Sequence, residues 1–454
     1  MLFVGLALLS IFLYIRGYKI SALIIFFFFI TRGFNLIPDE LVELKAPLTK
    51  NSDYAFFLLM GFLTVDLFFN SNKLLKSDLY SKYITAFFIF LFVCILYNRF
   101  LLGIGWEEII RTVRYYFLWL AYFVFRGMNK EQLQCLLKIL FFVTVATSVI
   151  FLLQLVINKN ILVKEATSFT YILGKRITRF YNQPSMLHFF VFMGIYNNPL
   201  KGRWKYLTIT ILVLALLGAF HRSHIGFFFI TILVGFILKL PKLRQIQIVA
   251  VGAFAIILVV IFVGNQFLQS RTFVDLQKVA AGNVLEDADI DVNDLYDATF
   301  AFRIAHLLER NEYIQKDKMS MLFGGALLTE DSKMLDKFFD FKIGLLEEIT
   351  NQIVQVDTGD ISYSILILRF GYLGTALYML LLFYLIYYFF KNRDNHPMAF
   401  FSFLYMILTL SVSFFSVNIT LAPTFLLPMI SYVIVRDTIE SCPKSHKEQG
   451  EIKS

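Results

Sequence analysis

The sequence predicts an all-α, polytopic integral membrane protein with about 13 transmembrane helices and a large helical loop domain outside the membrane. Hydrophobic residues make up 58% of the 454 residues and charged residues 17%, and the mean hydropathy is +0.68, unlike soluble domains. Apolar stretches close to the roughly 20 residues needed to cross a bilayer recur up to residue 436. These stretches are unbroken, as at 253–263, whereas the strands of membrane β-barrels alternate apolar and polar residues.

Thirteen apolar windows predict the individual spans. They are 2–15, 20–36, 54–70, 83–98, 109–125, 134–157, 185–197, 204–220, 225–238, 246–265, 361–390, 397–416 and 419–435. The number becomes twelve or fourteen if one of the short windows is misassigned. The N-terminus lacks the basic region and cleavage site of a removable signal peptide, so we expect the first window to remain as a helix.

The basic residues of the short connections predict the orientation, because such residues are retained in the cytoplasm. Every second connection is basic: Lys or Arg occurs within 16–19, 73–82, 126–130, 201–205, 239–244 and 391–393, and after 435. This pattern places the N-terminus outside and the C-terminus inside. It divides the chain into helices 1–10 (1–265), an external segment (266–360), helices 11–13 (361–436) and a cytoplasmic tail (437–454).

The external segment, residues 266–360, is named the cap here. It contains 18 acidic and 9 basic residues, a net charge of −9, although the whole chain carries +9. Apolar residues at 300, 304, 307 and 308, and again at 338, 345, 346 and 349, follow helical spacing and predict a small helical domain. The acidic run 286–297 has some likeness to a calcium loop but lacks its Gly and Glu, so a solvated loop is favoured.

Metal binding and disulfide bonding are not predicted for the chain as a whole. Cys94, Cys135 and Cys442 are far apart in the sequence, and His221 and His224 have no third ligand close to them.

Several arginines lie on the predicted outer side, although basic residues of short connections usually lie in the cytoplasm. These arginines predict a site for an anion. The loop 158–184 carries five basic residues, including Arg176 and Arg179, and the turn at 221–224 carries Arg222. The guanidinium group binds phosphate oxygens in pairs, so a lipid diphosphate is the expected ligand. The alternative is that arginines at helix ends, which include Arg32, Arg99, Arg111 and Arg114, reach lipid phosphates.

The cap adds further candidates. Arg303, His306 and Arg310 fall within about 60° on one helical face, where they face either a sugar or phosphate or simply solvent. Asp360 stands at the start of the next span, where it acts either as a helix cap or as a general base for a sugar hydroxyl. Asp357, three residues earlier, is a candidate contact to the substrate.

Arg369 lies nine residues deeper than Asp360, about 13 Å along the helix. At that depth it needs a cavity or an acidic partner.

These features resemble the O-antigen polymerase and O-antigen ligase superfamily. The order of elements is similar, with many helices and then a large external loop before the last two or three. Residues 303–325 resemble the family pattern of an Arg, an amphipathic helix and a Leu-Phe-Gly-Gly-like turn. Residues 360–374 resemble the stretch in which Asp in polymerases, or His in ligases, precedes a Leu-rich helix with Gly, here Gly371 and Gly374. Arg222 resembles the arginine of the family's Ser-Arg-Gly-like turn, although residue 221 is His.

The resemblance implies a metal-independent, cofactor-free glycosyltransferase that polymerises undecaprenyl-diphosphate-linked oligosaccharide repeat units on the outer face of the bacterial inner membrane. The product would be O-antigen, capsule or exopolysaccharide. Arg176, Arg179 and Arg222 would bind the donor diphosphate, Asp360 would be the base, and Arg303 would orient the substrate. The other candidate substrate contacts are His306, Arg310 and Asp357.

The expected partners are the lipid-linked donor and acceptor, membrane lipids, a flippase and a chain-length regulator; nucleic acid is not expected. Two alternatives stay open. One is a ligase that transfers finished glycan to another acceptor. The other is a transporter, although few ionisable residues lie near the predicted midplane.

Overall fold

The computed structural model describes residues 2–38, 41, 50–69, 78–163, 167–172, 175–244, 247, 300–344, 353–357 and 361–441. These residues are mostly helical, and their strands form one antiparallel hairpin. The predicted span 246–265 apart from residue 247, the acidic run 286–297, Asp360 and the tail beyond 441 lie outside the described residues.

The helices, in chain order, are α1 Leu2–Ile15, α2 Lys19–Ile30, α3 Arg32–Asn35, α4 Asn51–Phe69, α5 Leu79–Phe100, α6 Trp106–Val113, α7 Ala121–Arg126, α8 Lys130–Ile157, α9 Leu187–Tyr196, α10 Gly202–Gly218, α11 Arg222–Leu238, α12 Phe300–Gln315, α13 Lys318–Phe323, α14 Leu335–Phe338, α15 Ser362–Lys391, α16 Pro397–Val412 and α17 Ala422–Ser441. Short 3₁₀ helices occupy Tyr116–Leu120 and Asn418–Thr420. The hairpin pairs β1 Thr167–Ile172 with β2 Lys175–Phe180.

Helix length and composition support the membrane class. Within the described residues, α4, α5, α8 and α15 are long and apolar enough to cross a bilayer, and six shorter apolar helices accompany them. The coarse prediction of a helical membrane protein is thus supported, whereas the number of thirteen spans is not confirmed. The window 109–125 is not one continuous helix, because α6 ends at Val113 and a 3₁₀ turn separates it from α7.

The core of the helical part lies around α17. Every residue of α17 from 422 to 435 is buried, which is expected for a helix that is apolar on all sides. Trp119, in the 3₁₀ turn before α7, stacks on Phe425 with 4.4 Å between the ring centroids and 7° between the ring planes. The turn that interrupts the predicted span therefore places a large aromatic ring against the central helix.

Charged groups hold the helix ends together at connections that the sequence assigns to the cytoplasm. Asp66 at the end of α4 accepts a hydrogen bond from Lys19 Nζ at 3.1 Å. Asp78 caps α5 and forms an ion pair of 2.7 Å with Arg436 near the end of α17. These pairs tie together the ends of helices that are far apart in the sequence.

The cap packs into a break in α15. Gly371 has φ 61° and ψ −166°, a conformation almost restricted to glycine, and it interrupts the helix. The carbonyl oxygen of Leu368, next to this break, accepts a hydrogen bond of 2.7 Å from the Gly325 amide of the cap. A β-carbon on Gly371 would lie 2.5 Å from the Met321 carbonyl oxygen, so the two backbones are in direct contact. The two glycine-containing segments that carried the family resemblance therefore meet.

The helical prediction for the cap holds in part. Residues 300–308 lie in α12, as their spacing predicts. The second pattern does not continue as one helix, because α14 ends at Phe338 and residues 339–344 are not helical. Residues 345–350 lie outside the described residues.

Candidate functional site

The turn at residues 413–416, which follows α16, contacts the start of α15. The Ser362 amide donates hydrogen bonds to the carbonyl oxygens of Ser413 at 3.2 Å and Ser416 at 3.1 Å. The Ser362 hydroxyl donates to the same Ser416 oxygen at 2.8 Å. The turn therefore holds the residue that is two positions after Asp360, the predicted base, which is itself outside the described residues.

Phe415 in the same turn joins the cap to α11. The guanidinium carbon of Arg303 lies 5.3 Å from the centroid of the Phe415 ring, which is a cation–π contact. The Phe227 ring of α11 lies 5.8 Å from the Phe415 ring. Phe227 is five residues after Arg222, about 7.5 Å along the helix. The cap arginine and the helix that begins with Arg222 thus meet at one aromatic ring.

Arg179 reaches the turn between α10 and α11. Its Nε donates a hydrogen bond of 3.4 Å to the Ala219 carbonyl oxygen, and its Nη2 lies 2.8 Å from His221 Nδ1. The guanidinium carbon lies 4.7 Å from the centroid of the Tyr181 ring. The structure therefore places Arg179 directly beside the residue that precedes Arg222. The side chains of Arg176 and Arg222 lie outside the described part of the chain.

The hairpin that carries Arg176 and Arg179 was missed by the sequence prediction, which treated 158–184 as a loop. Arg179 pairs with Ser168 across the ladder, and Arg176 pairs with Tyr171. A signal was present, because both segments are rich in Thr, Ile, Tyr and Phe and the short connection between them contains Gly174.

His188 is a further residue that the sequence prediction missed. Its Nε2 lies 3.1 Å from Nδ1 of His224, and the rings of His224 and His221 stack with 4.7 Å between their centroids. His188 precedes His221 by 33 positions, so no spacing rule connects them. The described residues contain no group of three or more His, Cys, Asp or Glu side chains arranged to hold a metal ion.

The first turn of α11 offers backbone N–H groups. His221 precedes this helix, and its side chain forms no capping hydrogen bond. The N–H groups of a first helical turn have no partner within the helix, and they carry the positive end of the helix dipole. Together with Arg179, they make this turn electrostatically suited to an anion.

Arg310 and His306 lie inside the cap. Arg310 is fully buried, forms an ion pair of 2.7 Å with Glu309, and donates hydrogen bonds to the carbonyl oxygens of Ile343 and Gln355. Burial lowers the pKa of His306 to about 2, so its ring is neutral, and neither ring nitrogen has a hydrogen-bond partner among the described residues. Arg310 therefore crosslinks the cap, and neither side chain is presented to a substrate.

Asp357 pairs with Arg369. The Asp357 Oδ1 lies 2.5 Å from Arg369 Nη2, which also donates to the Leu328 carbonyl oxygen at 3.3 Å. The Glu330 amide donates to the other oxygen of Asp357 at 3.0 Å. The requirement of Arg369 for an acidic partner is confirmed, and that partner is a residue predicted to touch the substrate.

Three of the outer helix-end arginines have local partners. Arg114 forms an ion pair of 2.8 Å with the buried Asp53, and Arg111 pairs with Glu107 at 2.7 Å. Arg99 donates to the Ile104 carbonyl oxygen at 3.3 Å. These contacts give the three arginines structural roles that do not require a bound anion.

Comparison with known proteins finds no family model and no curated protein that matches this chain.

Proposed function

We propose that the protein is an integral-membrane glycosyltransferase that polymerises undecaprenyl-diphosphate-linked oligosaccharide repeat units into a surface polysaccharide. One observation carries the proposal: the 413–416 turn contacts Arg303 of the cap, Phe227 of α11, and Ser362, two residues after Asp360. Three segments that are distant in the sequence thus meet at one turn. They are the segments expected to hold the base, the diphosphate and the substrate-orienting arginine.

The diphosphate of the donor is assigned to the region before α11. Arg179 lies beside this turn, Arg222 is the first residue of the helix, and the N–H groups of its first turn favour negative charge. Arg176 lies three positions before Arg179 on the same strand, and successive strand positions alternate between faces, so the proposed diphosphate site rests on Arg179 and Arg222. As the sugar–phosphate bond breaks, negative charge grows on the departing lipid diphosphate, and donors already in place stabilise it.

The acceptor is assigned to the other side of the 413–416 turn. A hydroxyl oxygen of the second lipid-linked unit attacks the anomeric carbon of the donor sugar, and its proton passes to Asp360. The bond between that carbon and the diphosphate oxygen breaks, and the lipid diphosphate leaves with the electron pair. Arg303 orients a sugar or phosphate from the cap. His306 and Arg310 are left out of the proposed site because they are buried inside the cap, and Asp357 is left out because its carboxylate is paired with Arg369.

The finer topology belongs to the same proposal. We infer thirteen spans in the bacterial inner membrane, with the N-terminus and the cap outside and the C-terminus in the cytoplasm. A donor and an acceptor that are both anchored by lipids would then reach a site at the outer membrane surface. A flippase that delivers the units and a chain-length regulator are the proposed protein partners.

Single substitutions of Arg222 and Asp360 test the proposed function. We expect Arg222→Ala and Asp360→Asn each to reduce polymer in cells at least about a hundredfold, the usual scale for removing a charge stabiliser or a general base. Lipid-linked single repeat units should accumulate, as measured by glycan ladders and by extraction of the carrier lipid.

The matched control is Arg203→Ala, at an exposed basic position in the first turn of α10, which should leave the ladder unchanged. Normal ladders in both site variants would contradict the proposal. Accumulation of long chains on the carrier lipid would indicate a ligase instead, and lipid flipping by reconstituted protein without glycan transfer would indicate a transporter.

A further inference from the structure

Three of the chain's six histidines form one cluster beside Arg179. His188 contributes from α9, His224 from the first turn of α11, and His221 from the position before that helix. The His221 ring contacts both the Arg179 guanidinium and the Tyr181 ring, whose centroid lies 5.2 Å away. This cluster, named the histidine array, therefore ends at the arginine that we assign to the diphosphate.

The protons of the array are constrained by chemistry. Arginine has only N–H donors, so His221 Nδ1 accepts the hydrogen bond from Arg179 and carries no proton. A neutral His221 then carries its proton on Nε2. Between His224 Nδ1 and His188 Nε2 at 3.1 Å, one nitrogen donates and the other accepts. His188 thus fixes the ring plane of His224, and His224 fixes His221 by stacking.

The acceptor nitrogen of His221 gives Arg179 a hydrogen bond that aromatic packing alone would not provide. The chain contains 53 phenylalanines, and a phenyl ring would stack on His224 equally well, but it has no acceptor for Arg179. We propose that His221, held by His224 and His188, is a positioning residue that orients the Arg179 guanidinium toward the diphosphate of the lipid-linked donor. This inference rests on the proposed function, since it assigns a support to one of the proposed phosphate ligands.

The array has a direction of pH dependence. Burial, together with the charges of Arg179 and of His188, lowers the pKa of His221 to about 4. The groups that face His221 are Arg179 from the hairpin, Tyr181 directly after it, His188 from α9 and His224 from α11. No acidic group is among these described neighbours. Protonation of Nδ1 below about pH 4 therefore replaces the hydrogen bond with repulsion between two cations.

The test measures binding of undecaprenyl diphosphate to the purified full-length protein, with polymer formation by the same protein as a separate readout. His221→Phe keeps a stacking ring without the acceptor, and we expect its Kd at pH 7 to rise at least about tenfold, the scale of one lost hydrogen bond to a charged group. His221→Asn places an acceptor oxygen near the position of Nδ1. We expect its Kd to stay within about threefold of wild type, and its binding to lose less than wild type does when the pH falls toward 4.

A double substitution decides whether His221 acts through Arg179. If it does, His221→Phe adds nothing to the loss caused by Arg179→Ala, because coupled residues are not additive. His396→Asn is the matched control, because His396 caps α16 and is not part of the histidine array. We expect this variant to bind undecaprenyl diphosphate as the wild type does. Independent losses for Arg179 and His221, or an Asn variant as weak as the Phe variant, would overturn the inference. Binding without any polymer formation would refute the proposed function. The Kd values of the His221 and Arg179 variants would still show whether His221 acts through Arg179.

Discussion

At the scale of single residues, Arg310 and Arg369 show how buried positive charge is kept in this protein. Each guanidinium has a carboxylate and at least one backbone carbonyl oxygen as partners: Glu309 for Arg310, and Asp357 for Arg369. Removing the partner of a buried charge destabilises the fold, and it does so by less where that partner is exposed to water, so both arginines have structural roles. The contacts of Arg179 include a histidine, an aromatic ring and a backbone carbonyl oxygen.

Asp357→Asn tests the structural role of that ion pair. Burial would raise the pKa of Asp357, but the Arg369 charge and the Glu330 amide hold it below its usual value. A lowered pKa in the folded state means that the carboxylate stabilises the fold at neutral pH and stops doing so as the pH falls through the folded-state value. We expect a loss of about 1 kcal/mol at pH 7, since the side chain is 41% exposed and water screens the pair.

The measurement is thermal unfolding in detergent at several pH values. The difference between wild type and Asp357→Asn should shrink below about pH 4. Asp340→Asn, at an exposed cap position, is the control and should not change stability. A difference that grows on acidification would contradict the assigned pair.

At the scale of elements, the break in α15 determines how the cap sits on the helices. The Gly325 amide uses the Leu368 carbonyl oxygen, and the backbones of residues 321–324 and 369–371 come too close for side chains at Gly324 or Gly371. A continuous helix would use the Leu368 carbonyl within itself. The helix break and the cap turn therefore form one joint.

Gly371→Ala tests this joint. Alanine at φ 61° and ψ −166° is strained, and its β-carbon would lie 2.8 Å from the Gly324 amide nitrogen. We expect a loss of at least about 2 kcal/mol and faster proteolysis of the cap, measured by thermal unfolding and limited digestion in detergent. Gly5→Ala in α1, where a β-carbon meets nothing within 4 Å, is the matched control. Equal stability of the two variants would show that the joint tolerates a side chain.

At the scale of the whole molecule, the proposed orientation places the cap and the connection between α15 and α16 on opposite sides of the membrane. Asp331 in the cap and Asp394 in that connection are matched positions, with side chains 75% and 73% exposed. Both lie outside the long apolar helices. A single labelling reagent can therefore test the side of the membrane on which each position lies.

Cysteines introduced at these positions, with the three native cysteines replaced, test the orientation. We expect a membrane-impermeant maleimide to label Asp331→Cys in right-side-out vesicles, because the cap would face outward. Asp394→Cys should be labelled only after permeabilisation. The opposite pattern would invert the topology, and labelling of both without permeabilisation would mean that the two segments share one side.

Much of the helical content and part of the site could be predicted because their signals are local. The apolar windows at 134–157 and 361–390 correspond closely to α8 and α15. The break at Gly371 was not predicted, since it depends on the cap backbone that packs against it. The strands β1 and β2 were not predicted either, although they pair with each other and their composition is a local signal. The sequence proposed Arg179 as a substrate contact from the charge pattern and Arg310 from its position on one helical face, whereas the structure shows Arg310 as a crosslink inside the cap.

The sequence by itself determined the membrane class, the helical class and the arginines that lie on the predicted outer side. Hydropathy and the distribution of Lys and Arg can be read directly from successive residues. The tertiary structure decided which partner each charged group has. Asp357 meets Arg369 across 12 positions, Arg179 meets His221 across 42, and Arg303 lies over a ring at position 415. Such pairings depend on distances in space between distant segments, which no local pattern encodes.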